Sequence, residues 1–194
     1  PLRLPGFLLT VILLCLAACG KKATEKALFE QLDSTKTNIA FANNLPEFDE
    51  KLNILEYLYY YNGGGVSAGD INNDGLADLF FVSNQGKNKL YLNKGGFKFE
   101  DISQKAGIEG FADWKTGVTM ADVNGDGLLD IYVCAVGNYK GLEGSNELYI
   151  NNGDLTFEDR SQAWGLGEPT YSNGAATADL DNDGDLDLIF NNID

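Results

Sequence analysis

An acidic segment of nine residues occurs three times in the chain, and this repetition limits the possible folds more than any other feature. The copies are DINNDGLAD at 70–78, DVNGDGLLD at 122–130 and DLDNDGDLD at 179–187. Their first residues are 52 and 57 positions apart. A period of this size is typical of proteins in which one small structural unit is copied along the chain.

The similarity extends to both sides of each acidic segment. A run of small residues precedes each copy (GVSAGD, GVTMAD, GAATAD), and an apolar run follows each (LADLFFVSN, LLDIYVCAV, LDLIFNN). Alternation and turn residues predict four short strands per unit, which in the first unit are GVSAG, ADLFFVSN, NKLYLN and FKFEDI. No stretch within a unit offers three turns of helical spacing. The sequence therefore predicts an all-β fold of β-propeller blades, each a four-stranded antiparallel sheet.

A single blade exposes two hydrophobic faces and must stack on its neighbours to bury them. Residues 63–194 hold two full units and the opening of a third. Because a propeller closes with four to eight blades, we expect this sequence to be a fragment with an incomplete ring. The intact protein is expected to continue past Asp194.

The acidic segments have the residue pattern of calcium-binding loops. Calcium takes six to eight oxygen ligands. Here, the side chains at positions 1, 3, 5 and 9 and the backbone carbonyl at position 7 would supply most of them, water would fill the remaining site, and a glycine at position 6 forms the turn. The predicted ligands of the three loops are Asp70, Asn72, Asp74, Leu76 and Asp78; Asp122, Asn124, Asp126, Leu128 and Asp130; and Asp179, Asp181, Asp183, Asp185 and Asp187. We expect about one Ca²⁺ per loop, bound most tightly by the third, which carries the most negative charge.

Other interpretations of these loops fit less well. An EF-hand needs a glutamate at position 12 and a flanking helix on each side, but position 12 is Phe81, Val133 and Phe190 in the three loops. Magnesium demands near-ideal octahedral geometry, and zinc prefers nitrogen and sulfur ligands. One copy alone could be an ordinary turn rich in Asn, Asp and Gly, whereas three copies in register favour a metal site.

The charge balance excludes one class of partner and favours another. The chain has 29 acidic and 14 basic residues, a net charge of -15, and no histidine. Nucleic-acid binding needs a basic surface, which this composition does not provide. Eleven of the acidic residues lie in the three loops, which favours a cation as partner. Without histidine, this sequence offers no Ser–His or Cys–His nucleophile system. Cys134, within the apolar run DIYVCAV, is expected to be a small core residue.

The beginning of the chain has the pattern of a secretory leader. Arg3 precedes an apolar run that is too short to span a membrane comfortably. Leu-Ala-Ala-Cys at 16–19 resembles a bacterial lipobox, which makes 1–19 a lipoprotein signal peptide and Cys19 the lipid-bearing residue. A plain secretory leader is the alternative. Gly20 after the cysteine favours the outer membrane or cell surface as the location.

Two segments connect the leader to the blades. Residues 20–40 are charged and contain Ser and Thr, which indicates a tether away from the membrane. Residues 41–62 include a patch of tyrosines and are expected to form a strand that leads into the first blade. Packing of the tyrosine rings in the core is the other interpretation of that patch.

The segment GVSAGDINNDGLADLFFVSN and its counterparts resemble FG-GAP repeats, also called VCBS repeats, over 63–194. Such repeats form the blades of the integrin α-subunit propeller and of many bacterial surface proteins. The combination of YYYNGGGVSAGD with NKLYLNKGGFKFEDISQKAGI is similar to bacterial lipoproteins that carry FG-GAP repeats and an ASPIC/UnbV domain. The resemblance implies a propeller with calcium in hairpin loops on its rim, and it implies no shared catalytic residues.

Three functions are compatible with the sequence. The first is a calcium-binding, lipid-anchored surface propeller that binds protein or glycan ligands, as an adhesion module does. The second is a propeller-based carbohydrate-active enzyme, for which the pairs Glu100–Asp101 and Glu158–Asp159 supply carboxylates. Their recurrence at one blade position favours a structural role, because catalysis needs one asymmetric site. The third is a subunit of an outer-membrane uptake or secretion assembly.

Overall fold

The computed structural model describes residues 28–46 and 52–192 of the chain. The chain divides into two compact units, Pro1–Leu32 and Asp33–Asp194. In the first unit, residues 28–32 are described, and they form neither helix nor strand.

Several of the predictions concern residues that are not described. The leader at 1–19, the lipid-bearing Cys19, residues 20–27 of the tether and residues 47–51 of the lead-in segment all lie outside the described residues. Their assignments stay predictions.

The described residues of the second unit form two four-stranded antiparallel sheets and a two-stranded one, each from consecutive strands. The first sheet is β1 (Val66–Gly69), β2 (Asp78–Phe81), β3 (Lys89–Asn93) and β4 (Phe99–Asp101). The second is β5 (Lys115–Ala121), β6 (Asp130–Ala135), β7 (Glu147–Asn151) and β8 (Phe157–Asp159), and the third is β9 (Ser172–Ala178) with β10 (Asp187–Asn192). The prediction of an all-β fold built from four-stranded antiparallel blades is confirmed.

Each acidic loop connects the first two strands of its sheet. Position 9 of the loop is the first residue of the second strand, and it pairs with the residue that immediately precedes position 1. These pairs are Gly69 with Asp78, Ala121 with Asp130 and Ala178 with Asp187. The loops are therefore hairpin connections flanked by strands, which agrees with the sequence argument against an EF-hand.

The first strands of successive sheets lie side by side, β1 against β5 and β5 against β9. This packing explains the glycines that open the small-residue runs before the first two loops. A Cβ atom at Gly65 would lie 2.9 Å from the Val118 nitrogen, and one at Gly117 would lie 2.9 Å from the Asn173 oxygen. A larger residue at either position would push neighbouring strands apart.

The main core lies between the two four-stranded sheets. Phe80 and Leu90 of the first sheet are fully buried in one cluster with Ile131 and Val133 of the second. Tyr132 and Cys134 alternate with these residues along β6 and pack on the other side, with Phe190 of the third sheet. Every residue of β6 is consequently buried, at about 1.5–3 kcal/mol of stabilisation for each large apolar side chain. The second sheet buries both faces, as expected for a stacked blade, and Cys134 is the core residue that was predicted.

The lead-in strand predicted at 41–62 is wrong for the described part of that segment, because residues 41–46 form no regular element and residues 52–62 are mostly turns and bends. The Asn53 side chain accepts a hydrogen bond from the Leu55 N–H at 3.0 Å, and the Asn53 carbonyl accepts one from the Tyr57 N–H at 2.8 Å. This local turn competes with an extended strand. Packing of the tyrosines is confirmed, because Tyr57 and Tyr60 are buried with ring centroids 5.3 Å from that of Trp114.

Helices are minor elements among the described residues. They are α1 (Ser34–Thr37), which Asp33 caps through the Thr35 N–H at 2.7 Å, and α2 (Ser103–Ala106), which follows β4. In residues 28–46 and 52–192, no helix has the length and apolar character needed to cross a bilayer.

Candidate metal centre

The first acidic loop is folded around the carboxylate of Asp70. Its Oδ1 accepts a hydrogen bond from the Asp74 N–H at 3.1 Å, and its Oδ2 accepts one from the Gly75 N–H at 2.7 Å. Gly75 has a φ of +85°, which glycine adopts without strain. The Leu76 N–H donates to Asp74 Oδ1 at 2.9 Å. Positions 1, 5, 6 and 7 are thus held in one tight turn.

The second loop repeats this arrangement. Asp122 Oδ1 accepts from the Asp126 N–H at 3.1 Å, and Asp122 Oδ2 accepts from the Gly127 N–H at 2.8 Å. Asn124 Nδ2 donates to Asp126 Oδ2 at 2.9 Å, as Asn72 does to Asp74 in the first loop at 3.0 Å. The backbone N–H groups, above all that of Gly127, hold the pKa of Asp122 below its usual value. The ionised form of Asp122 is therefore favoured.

The carboxylate at position 9 is buried in these two loops. Asp78 is 0 % exposed; its Oδ2 accepts from the Ile71 N–H at 3.0 Å and its Oδ1 from the Asn93 N–H at 2.7 Å. Asp130 is 1 % exposed and makes the same bonds with its counterparts, Val123 at 3.0 Å and Asn151 at 2.8 Å. The pKa of Asp78 and that of Asp130 are raised overall, mainly by burial. The two N–H groups oppose this rise, and the other two aspartates of each loop add to it.

The third loop has the same local fold but a different environment. The Gly184 N–H donates to Asp179 Oδ2 at 3.1 Å, and the Leu180 N–H donates to Asp187 Oδ2 at 2.9 Å. Carboxylate oxygens of Asp179, Asp181 and Asp187 lie within 4.8 Å of one another, and all three residues are exposed. Among the described residues, no third strand of this sheet covers Asp187.

The donor atoms of the loops fit a hard divalent cation. Every predicted side-chain ligand offers carboxylate or amide oxygen, which calcium prefers. Position 7 is held in the same way in all three loops, because its N–H donates to the position-5 carboxylate; the residues are Leu76, Leu128 and Asp185. The hydrogen bonds bring positions 1, 3 and 5 together in the first two loops. In the third loop, carboxylate oxygens of positions 1, 3 and 9 lie within 4.8 Å of one another. The position-5 carboxylate, that of Asp183, accepts a hydrogen bond from the Asp185 N–H.

Sequence reasoning missed two asparagines that support the loops. Asn93 and Asn151 end the third strands of their blades, and each donates its backbone N–H to the position-9 aspartate. Their side chains donate to the carbonyl of position 8, Asn93 to Ala77 at 2.8 Å and Asn151 to Leu129 at 3.1 Å. Their recurrence at the end of NKLYLN and NELYIN was the available signal.

The recurrent acidic pairs of the fourth strands have a structural place. Asp101 Oδ1 accepts from the Ser103 N–H at 3.0 Å, and Ser103 Oγ accepts from the Leu90 N–H at 2.9 Å. Asp159 and Ser161 form the same bonds in the second blade. The aspartate of each pair thus fixes the chain after the fourth strand.

Four-stranded antiparallel sheets that stack face to face, each with an acidic loop in its first hairpin, define a class of blade-forming repeats. The family model of the FG-GAP-like repeat matches residues 70–133 and 134–190. The chain therefore belongs to the FG-GAP-like repeat family, which confirms the resemblance to FG-GAP repeats. The similarity to bacterial lipoproteins with an ASPIC/UnbV domain stays a prediction.

Curated relatives contain the same kind of segment. The chain is 34 % identical to cartilage acidic protein 1 of Xenopus tropicalis over 138 residues and 35 % identical to the human protein over the same length. In each case the match covers 69 % of this chain, which spans about a fifth (20 %) of the relative. Integrin alpha-8 of Gallus gallus is 31 % identical over 112 residues, half of this chain and 10 % of the integrin.

Proposed function

We propose that this chain forms blades of a calcium-binding, lipid-anchored propeller at a bacterial cell surface, where it acts as a binding or adhesion module for protein or glycan ligands. The observation that carries the proposal is the placement of three acidic loops in the same hairpin of successive blades. Membership in the FG-GAP-like family and the similarity to an integrin α-chain support a role in binding.

Calcium is proposed because the loops concentrate charge that otherwise destabilises them. The first two loops each hold three aspartates and the third holds five. Carboxylates this close together disfavour each other's ionised form. In the first two loops one of them is also buried, at Asp78 and Asp130. A bound divalent cation would offset both costs and fix the loop, so the blade edge becomes rigid when calcium is present.

A binding role is favoured over catalysis by the position of the acidic pairs. The hydrogen bonds of Asp101 and Asp159 to serines two residues later are the same in both blades. A repeated structural motif explains these carboxylates without a reaction. Rigid strands that present loops are a common basis for ligand recognition.

The calcium part of the proposal is tested by isothermal titration calorimetry on the intact protein. We expect each of the variants Asp74→Ala and Asp126→Ala to lose about one bound Ca²⁺. Glu100→Gln is the control, because it removes an exposed carboxylate whose ion pair with Lys94 is long, 3.9 Å. A calcium titration without heat and without thermal stabilisation would refute the metal assignment.

The anchor is tested by metabolic labelling with palmitate. We expect Cys19→Ser to abolish the label and release the protein from the membrane fraction. Cys134→Ala is the matched control, since this thiol is buried in the second blade and burial raises its pKa to about 12. Label that persists in the Cys19 variant would contradict a lipid anchor at that residue.

The ligand class is tested by arrays of surface glycans and matrix proteins probed with and without a calcium chelator. Binding that depends on calcium supports the adhesion role. Hydrolysis of an arrayed glycan would instead assign an enzymatic function.

A further inference from the structure

The first and second acidic loops are joined by hydrogen bonds that run between blades. The Asn73 side chain, at position 4 of the first loop, donates through Nδ2 to the Gly127 carbonyl of the second loop at 2.9 Å. Gly127 immediately precedes Leu128, whose carbonyl is the predicted position-7 ligand. A ligand-bearing turn of one loop is thus tied to the backbone of the next.

A second connection passes through Asn151. Its Nδ2 donates to the Ile71 carbonyl of the first loop at 2.8 Å, and its backbone N–H donates to Asp130 Oδ1 of the second loop at 2.8 Å. The Ile71 N–H donates to Asp78 Oδ2 at 3.0 Å. A continuous chain of hydrogen bonds therefore links Asp78 and Asp130, the position-9 ligands of the two loops. Asn151 is 4 % exposed, so water competes little for these bonds.

Elsewhere in the described residues, the counterparts of Asn73 and Asn151 form no hydrogen bonds between loops. Asn93 makes the local bonds of Asn151, to the Ala77 carbonyl and to the Gly95 N–H, but none to another loop. In the second loop, position 4 is Gly125, which has no side chain to reach the third loop. The part of the chain that the structure describes thus contains one pair of loops joined by hydrogen bonds, together with equivalent positions that lack the link.

We propose that the calcium sites of the first two loops are coupled, and that Asn73 and Asn151 are the positioning residues that couple them. This inference rests on the proposed function, since it takes the loops to bind calcium. Binding at one loop fixes its aspartates and, through the two asparagines, the backbone of the other. The second ion then binds to a loop that is already partly ordered, so affinity rises without a change of ligands.

The coupling must be reciprocal if it is an equilibrium effect. When the first site is disabled by Asp74→Ala, the affinity of the second loop falls; when the second is disabled by Asp126→Ala, that of the first falls by the same factor. We expect a factor of about five, at the lower end of typical coupling between sites. The third loop serves as the reference, and we expect Asp183→Ala to leave the affinity of the first loop unchanged.

The experiment is a calcium titration of the intact protein followed by NMR, in which glycine amides report each site. The N–H groups of Gly75, Gly127 and Gly184 each donate to the position-1 aspartate of their own loop. Their chemical shifts therefore follow the three loops separately.

The decisive variants remove the links and keep the ligands. In the double variant Asn73→Gly and Asn151→Ala, we expect Asp74→Ala to lose its effect on the second loop. Asn73 already has a φ of +57°, so glycine fits there without strain, and Asn73→Gly alone tests the coupling if the Asn151 change unfolds the protein. Asn93→Ala and Asn182→Gly are the matched controls, since they change the equivalent positions outside the links.

The outcomes separate this inference from the proposed function. Coupling that disappears in the link variants and persists in the two controls supports the inference. Loops that bind calcium with affinities independent of each other overturn it and leave the calcium assignment intact. Coupling that survives both link changes also overturns the roles of Asn73 and Asn151. Absence of any calcium-dependent shift refutes the calcium assignment itself.

Discussion

The first two acidic loops and the third share one sequence pattern but lie in different surroundings. In the first two, the position-9 aspartate is buried and accepts an N–H from the third strand of its own blade. In the third, Asp187 is exposed and keeps only the bond from the Leu180 N–H among the described residues. The same motif therefore imposes different costs, because burial disfavours the ionised form of a carboxylate and is absent in the third loop.

The number of negative charges is larger in the loop that is less buried. The exposed third loop carries five aspartates and the half-buried first and second loops carry three each. Solvent screens charges in an exposed loop, so crowding there costs less than in a buried one. The comparison suggests two ways to build one type of site, by few carboxylates held by the fold or by many in contact with solvent.

The largest expected effect follows removal of calcium from the whole protein. At a hundredfold excess over the dissociation constant, each bound ion contributes about 2.7 kcal/mol of stability, so chelation should lower the melting temperature strongly. Scanning calorimetry with and without chelator measures this shift. Magnesium at the same concentration is the control, and equal melting temperatures in calcium and in chelator would contradict the prediction.

A smaller effect separates the buried from the exposed position-9 aspartate. Asp130→Ala leaves the buried N–H of Asn151 and the part-buried N–H of Val123 without their acceptor, and an unsatisfied buried group costs about 1–3 kcal/mol. Asp187→Ala should cost within about 0.5 kcal/mol, as exposed substitutions usually do. Urea unfolding in chelator measures both. Asp130→Asn retains an acceptor oxygen and should lower the free energy of unfolding by less than Asp130→Ala does. Equal losses of stability in Asp130→Ala and Asp187→Ala would contradict the distinction between the loops.

Charge at position 3 sharpens the comparison through calcium affinity. The third loop has Asp181 where the first has Asn72. We expect the third loop to bind calcium most tightly. Asp181→Asn should lower the calcium affinity of that loop by about fivefold, and Asn72→Asp should raise that of the first loop by a similar factor; a tenfold change corresponds to about 1.4 kcal/mol. Site-resolved titration measures each loop. Two swaps that leave both affinities unchanged would show that charge count does not rank the loops.

The smallest effect concerns pH in the absence of calcium. Burial raises the pKa of Asp78 and Asp130, so these groups favour the folded state when protonated. Their contribution is fully present below the pKa of an unfolded aspartate and is lost as pH rises through the higher folded-state pKa. Asp78→Asn and Asp130→Asn should flatten this part of the stability profile in chelator. A profile that Asp187→Asn flattens equally would contradict the assignment to the buried pair.

Much of the fold could be predicted from the sequence because its signals are local. Alternating apolar residues, turn glycines and the repeat of the acidic loop located the four strands of the first blade within a few residues, and the second blade repeats them. The lead-in segment failed for the same reason, since a run of tyrosines has high strand propensity while the Asn53 turn and the packing around Trp114 decide its conformation. Propensity is a weak guide where a side chain offers the backbone another partner.

The sequence by itself determined the membership in a repeat family, the hairpin location of the acidic loops and the oxygen-rich donor set, because these depend on residue type and spacing alone. Only the tertiary structure decided which aspartates are buried, which asparagines support them and which loops are linked. Asn151 and Asn93 end similar strands, yet only Asn151 reaches the Ile71 carbonyl, 80 residues away in the chain. Stacking of blades brings such groups together, and this proximity is not encoded in any local pattern.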